Sequence, residues 1–180
     1  MLRMKIVVAG NSAVGKTALV QAFHGDATLF AKNYNMTVGV DLVVKSVNIP
    51  DSGAVVEMYL CDCSGKEIFQ RSLETHWHHA AGVCLVFDLT DEGSLVSCSS
   101  WMQCLGSFHV AGVLVGTKAD LTARRVVSAE RAQSVAASLG LNYFETSAKE
   151  MLNCDAPFSF LADAFHRFYE ERVEQARMLI

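Results

Sequence analysis

The stretch Gly10-Asn11-Ser12-Ala13-Val14-Gly15-Lys16-Thr17 constrains this chain more than any other feature. It has the form G-x-x-x-x-G-K-S/T and lies between an apolar run at residues 5–9 and a helical stretch from 16 to about 24. Glycines let the backbone wrap close to a phosphate, and successive N–H groups point inward as a nest for anions. A helix opening near Lys16 adds the positive end of its dipole. In such a loop Lys16 reaches terminal phosphates and Thr17 offers its hydroxyl to Mg2+.

Strand and helix signals alternate along the rest of the chain. Residues 42–49 and 54–61 are rich in Val and Ile, and Pro50-Asp51-Ser52-Gly53 between them is turn chemistry. The pair reads as an antiparallel hairpin. Residues 82–89 and 110–115 are continuous apolar runs, as expected of strands covered on both faces, and 142–145 is a last short strand. Helical stretches fill 67–79, 92–105, 128–139 and 156–177. Strands separated by helices imply parallel crossovers, so the expected architecture is a three-layer α/β fold with a six-stranded mixed sheet and one antiparallel edge strand. Residues 25–41 carry no clear periodicity. An unstructured segment of about seventeen residues inside a compact domain is usually functional.

The 180 residues suit one domain, 1–180. Apolar residues make up 51% and charged residues 19%, a globular balance that argues against general disorder. Fifteen Lys and Arg against nineteen Asp and Glu give a net charge of −4, with no basic patch, so nucleic acid is not expected as a partner. No apolar run approaches bilayer-spanning length, and the opening residues carry no secretory or myristoylation signal. The expectation is a soluble intracellular domain. The six cysteines form no C-x-x-C pair and read as small buried hydrophobes. His76, His78 and His79 surround Trp77 without a fitting carboxylate partner, so a solvated or partner-facing helix is favoured there over a metal site.

The later motifs choose the base. Thr117-Lys118-Ala119-Asp120 follows a strand at the carboxyl edge of the sheet, where such folds bind ligands. A carboxylate there accepts from guanine N1–H and the exocyclic amine, whereas adenine presents an acceptor at N1 and no amine at C2. The Lys118 stem can pack on the base face. Ser147-Ala148-Lys149 follows the last strand and can add a backbone N–H to guanine O6. Asp62-Cys63-Ser64-Gly65 ends the strand at 54–61, bringing a carboxylate and a glycine N–H towards the terminal phosphate. Thr37 lies in the long segment before the second strand, where its hydroxyl can close over Mg2+.

With these motifs in order over nearly the whole chain, the sequence resembles a Ras-superfamily small GTPase, and Thr37-Val38-Gly39-Val40-Asp41 resembles the Rab branch. The resemblance implies a P-loop GTPase (Ras-like) fold, GTP or GDP as ligand and Mg2+ as cofactor. It implies nucleotide contacts at Ser12, Ala13, Val14, Gly15, Lys16, Thr17, Ala18, Thr37, Asp62, Gly65, Thr117, Lys118, Asp120, Ser147, Ala148 and Lys149. Thr17 and Thr37 would hold the metal directly and Asp62 through water, with Lys16, Thr37 and Gly65 serving catalysis.

Four further stretches, Asp41-Leu42-Val43-Val44-Lys45, Ile49-Pro50-Asp51-Ser52-Gly53, Ser64-Gly65-Lys66-Glu67 and Asp155-Ala156-Pro157-Phe158, resemble the Rab-like subunits of the intraflagellar transport B complex. That likeness implies a cytoplasmic and ciliary or flagellar setting. It also implies a heterodimer with a small β-sandwich subunit, intraflagellar transport protein 25. The alternatives are a Rab-type vesicle-trafficking GTPase outside the cilium, a structural pseudo-GTPase scaffold, and a P-loop kinase or ATPase that would lack a use for Asp120.

Several residues depart from the family. Cys61 stands where Rab proteins usually have Trp and Leu42 where they have an aromatic residue, so ordinary Rab effectors are not expected; Thr117 replaces the commoner Asn, and its hydroxyl can still brace the phosphate loop. Residues 101–110 are shorter than usual. Lys66 occupies the place of the glutamine that orients attacking water, and slow hydrolysis is expected. The last cysteine is Cys154, so no prenylation signal closes the chain and no direct lipid anchor is expected. In the final helix Phe158, Leu161, Phe165 and Phe168 read as core. The seam Tyr169, Val173, Ala176 and Ile180 outruns the sheet and reads as a partner surface.

Overall fold

The computed structural model describes residues 1–25, 36–66, 77, 79–106 and 110–178. Its strands are β1 (Leu2–Ala9), β2 (Val40–Asn48), β3 (Val55–Cys63), β4 (Gly82–Asp88), β5 (Ala111–Thr117) and β6 (Asn142–Glu145). Its helices are α1 (Lys16–His24), α2 (Glu92–Leu105), α3 (Ala129–Ser138) and α4 (Ala156–Arg177). The strands form one six-stranded sheet in the order β2-β3-β1-β4-β5-β6, in which only β2 runs antiparallel to its neighbour.

Burial follows from position in the sheet. Every residue of β4 is buried, as is all of β5 after Ala111, because helices cover both faces of these central strands. One face packs on α1 and α4 through Leu19, Phe23, Phe158 and Leu161, and the Phe23 and Phe158 rings stack at 4.2 Å. The other face packs on α2 and α3 through Leu95, Cys98, Trp101, Ala132 and Ala136.

The turn at 50–53 closes as expected, with Ile49 N–H donating to the Ala54 carbonyl and Asp51 and Gly53 at φ 60° and 64°. The strands are longer than their apolar runs. Leu2 pairs with Val56, so β1 starts three residues before 5, and Arg3 and Lys5 share its more exposed face while Met4 and Ile6 point inward. Likewise β3 carries Asp62 and Cys63 inside the strand, opposite Asp41 and Val40. The expected helix at 67–79 lies almost wholly outside the described residues.

Helix α4 differs from the sequence reading in one respect. Phe158 and Leu161 are fully buried and Phe165 packs against the core, but Phe168 is only half-buried, its ring under the Arg172 guanidinium at 5.2 Å. The last buried side chain is His166, and Tyr169 is 46% exposed. Twenty-two helical residues span about 33 Å, and the sheet beneath does not extend that far. At its base, Lys45 of β2 donates to the Phe23 carbonyl, sits over the Phe23 ring and approaches Asp155 at 3.7 Å.

Candidate functional site

The carboxyl ends of β1, β3, β4, β5 and β6 face the same way, and their loops meet where the chain order reverses around β1, the switch point at which open α/β sheets hold ligands. The loop after β1 is shaped by two close approaches. A Cβ on Gly10 would come within 2.1 Å of the Val86 carbonyl oxygen, so only glycine fits. Gly15 caps α1 in the left-handed region at φ 104°, and Ala13 sits there too at φ 63°. Neither a capping side chain nor an acidic residue occupies the first turn of α1, which leaves its N–H groups free to meet an anion.

Lys16 is 6% exposed, and its ammonium donates to the Gly10 and Asn11 carbonyls at 2.9 and 2.7 Å. Burial lowers its pKa to about 8, with the Asp62 charge opposing the shift. Its carbonyl partners carry no full negative charge, so a phosphate beside the ammonium would relieve this penalty. Ser12 is exposed, Val14 buried, and Ala18 is half-buried within the first turn of α1.

Thr17, Thr37 and Asp62 converge. Thr17 Oγ1 donates to Asp62 Oδ2 at 2.5 Å and lies 3.0 Å from Thr37 Oγ1. Asp62 Oδ1 is buried with no hydrogen-bond partner, and burial raises the Asp62 carboxyl to about 6 despite the threonine and Lys16 contacts. Three hard oxygen donors around an orphaned carboxylate oxygen fit a divalent cation such as Mg2+.

Gly65 closes this side of the site. A Cβ there would lie 2.4 Å from Ser12 N and 2.6 Å from Asn11 O, so its backbone rests directly on the 11–12 peptide. Lys66, next along, is exposed, and its N–H is 3.5 Å from Ser64 Oγ.

The base end is built from β5 and β6. Thr117 Oγ1 lies within hydrogen-bond reach of the Val14 carbonyl and 3.0 Å from the Phe87 carbonyl, so its one proton braces the phosphate loop against the sheet. Lys118, left-handed at φ 61°, spans from Asp88 Oδ2 (2.5 Å) to the Ala13 carbonyl (3.0 Å). Asp120 has a 6% exposed side chain; Ser147 Oγ donates to its Oδ1 at 2.6 Å, and Lys149 Nζ is 3.8 Å from its Oδ2. Ser147 is fully buried, Ala148 packs on the core and Lys149 is exposed. The structure therefore gathers the phosphate-loop residues, Thr37, Asp62 and Gly65 at one end, and Thr117, Lys118, Asp120 and Ser147–Lys149 at the other.

Two parts of the site were not singled out from sequence. Asp88, the last residue of β4, anchors Lys118 and Thr90; burial works against its charge, but those hydrogen bonds hold its carboxyl below the ordinary value. Arg125 forks onto Glu145 at 2.7 and 2.5 Å, and Tyr143 donates to the same carboxylate, which ties the loop after β5 to the end of β6. An aspartate ending a fully apolar strand was the available signal for the first. The second joins residues twenty positions apart and has no local signature.

Comparison with known proteins agrees with this geometry. Residues 5–167 match the Ras family model. The chain is 46% identical over 183 aligned residues to an intraflagellar transport protein 27 homolog of Bos taurus, covering 99% of this chain and 98% of that one. It is 36% identical to intraflagellar transport protein 27 of Chlamydomonas reinhardtii, covering 96% of this chain and 88% of that one. With the Ras-related protein Rab-13 of Bos taurus it shares 37% identity, covering 88% of this chain and 77% of the relative. The chain therefore belongs to the Ras family, with Rab-like small GTPases among its relatives.

Proposed function

We propose that residues 1–180 form one small-GTPase domain, a Rab-like guanine-nucleotide switch with slow hydrolysis, working as a subunit of the intraflagellar transport B complex. The observation that carries the nucleotide reading is the meeting of the phosphate loop, Thr37 and Asp62 with the Asp120–Ser147 pair along one sheet edge. Residues Ser12 to Ala18 enclose the phosphates with backbone N–H groups, and the Lys16 ammonium exchanges carbonyl partners for phosphate oxygens. Asp120 accepts from guanine, the Lys118 stem lies along the base, and the backbone of Ser147, Ala148 and Lys149 faces O6.

Bound Mg2+ supplies neutralising charge at the phosphates; Thr17 and Thr37 would hold it directly and Asp62 through water. Gly65 presents its N–H from a position already seated on the phosphate loop. Lys66 has only donors, so it cannot accept a proton from the attacking water or hold it from both sides. That chemistry favours slow turnover. It also supports a second reading, in which nucleotide serves chiefly to keep the subunit folded.

The likeness to proteins named intraflagellar transport protein 27, over almost the whole of both chains, supports the complex and a cytoplasmic and ciliary or flagellar location. The uncovered half of α4 supports a protein partner there, and we assign it to the small β-sandwich subunit, intraflagellar transport protein 25.

The test is purified protein in Mg2+ buffer followed by capture from ciliated cells. GDP and a non-hydrolysable GTP analogue should bind without competition from ATP, and transport-complex subunits should co-purify. Equal competition by ATP overturns the guanine reading. Equal partner affinity in both nucleotide states favours the structural reading over the switch.

A further inference from the structure

Asn11 occupies a variable position of the phosphate loop, yet its carbonyl and both ends of its carboxamide are engaged. Its carbonyl accepts from Lys16 Nζ at 2.7 Å. The peptide that follows it is the surface on which Gly65 rests, with an added Cβ only 2.5 Å from Asn11 C. Its side chain reaches away from the site to α2, where Trp101 Nε1 donates to Oδ1 at 2.9 Å and Nδ2 donates to Ser97 Oγ at 3.1 Å. Ser97 in turn donates to the Gly93 carbonyl at 2.9 Å. Chemistry fixes the amide orientation, because an indole N–H can only donate and so must face the amide oxygen. Trp101 is 3% exposed, and its ring meets the edge of Trp77 with centroids 6.5 Å apart at 70°. Trp77 lies twelve residues beyond Gly65 in the chain.

The 11–12 peptide is thus held from three sides: by the Lys16 ammonium, by the backbone of Gly65 and, through one carboxamide, by α2. The first two belong to the nucleotide site; the third lies outside it. We infer that Trp101 and Asn11 form a positioning pair, which sets the height of the 11–12 peptide on which Gly65 is seated, so that the Gly65 N–H meets a terminal phosphate when one is bound. This deepens the guanine-switch reading and rests on it. GDP has no terminal phosphate for Gly65 to meet, so the pair contributes chiefly to the triphosphate form. A residue that merely filled the core would affect both forms alike.

The test measures the affinities of GDP and a non-hydrolysable GTP analogue for the full chain, in the wild type and in Trp101→Phe, Asn11→Leu and the double variant. Trp101→Phe keeps the aromatic packing and removes the N–H donor. It should lower the analogue-to-GDP affinity ratio about three- to tenfold, the scale of one lost hydrogen bond that strands its acceptor, while GDP affinity stays within about twofold. Asn11→Leu removes the acceptor from the same bond, so the double variant should lower the ratio little further than the larger single effect. If both affinities fall in parallel, the pair is structural and the inference is overturned. An unchanged ratio in Trp101→Phe, or ratio effects that multiply in the double variant, overturns it as well. A wild type that binds neither nucleotide overturns the switch reading itself, a result distinguishable from all of these.

Discussion

Replacing Asp120 by alanine tests the base assignment most directly. Its carboxylate is nearly enclosed, and one oxygen is committed to Ser147 at 2.6 Å. The other lies 3.8 Å from Lys149, whose side chain is 61% exposed, so solvent screens that contact and it contributes little. Each carboxylate oxygen has two lone pairs, so Oδ1 keeps one beside its Ser147 bond and the two oxygens can receive the two N–H groups of guanine, one each. Losing one side of a buried, charged hydrogen-bonded pair costs about 2–5 kcal/mol. That corresponds to about thirty- to several-thousand-fold weaker binding. Titration with a fluorescent GDP analogue, with circular dichroism to confirm folding, reads this directly. Asp120→Asn reverses the donor pattern at Oδ2 and should move preference towards xanthine nucleotides. GDP affinity within threefold of wild type in a folded Asp120→Ala protein would refute the assignment.

Four further outcomes are expected. Single-turnover assays should give intrinsic GTP hydrolysis at or below about 10⁻⁴ per second, with Lys66→Gln raising it; wild-type turnover near one per second would defeat the argument from donor-only chemistry. Hydrogen exchange at residues 36–41 should slow with a GTP analogue relative to GDP, because Thr37 sits against Thr17 and Asp62, and identical exchange in both states would remove the switch. Val173→Glu, on the part of α4 beyond the core, should leave nucleotide binding intact and lower capture of transport-complex subunits, whereas normal capture would move the partner surface elsewhere. Hydrogen bonds from Arg125, opposed by burial, hold Glu145 below the ordinary glutamate value. Its contribution to stability is therefore complete above that ordinary value and lost as pH falls through the lowered one. Urea unfolding of Glu145→Gln should show a shallower acid decline than wild type, and parallel pH profiles would contradict this.

Much of this organisation was legible because it is local. The glycine pattern at 10–17, the turn at 50–53 and the apolar runs of β4 and β5 each lie within a few consecutive residues, and each dictates its own backbone. What was hidden depends on contacts between distant residues. Arg3 lies outside the apolar run at 5–9, yet it belongs to β1 because its neighbour β3 supplies hydrogen-bond partners from Leu2 onward. The apolar run ends at Cys61, but pairing of Asp62 with Asp41 on β2 carries β3 past that point. Phe168 fits the apolar period of α4, and only the extent of the sheet shows that the core stops near His166. Asn11 fills an unspecified position of the loop motif, and its partner Trp101 lies ninety positions away.

The overhang of α4 has a practical side. Its last eleven residues, from Arg167 to Arg177, form about three turns with little of the domain beneath them. A helix of that length holds only marginally on its own. Arg167, Arg172 and Arg177 therefore offer trypsin-type proteases sites whose cleavage leaves the core and the nucleotide-site residues whole. Nicking of an isolated preparation would shorten the protein without dimming its nucleotide signal. Mass measurement of the C-terminal end is then the check that a nucleotide-competent sample still carries the whole of α4.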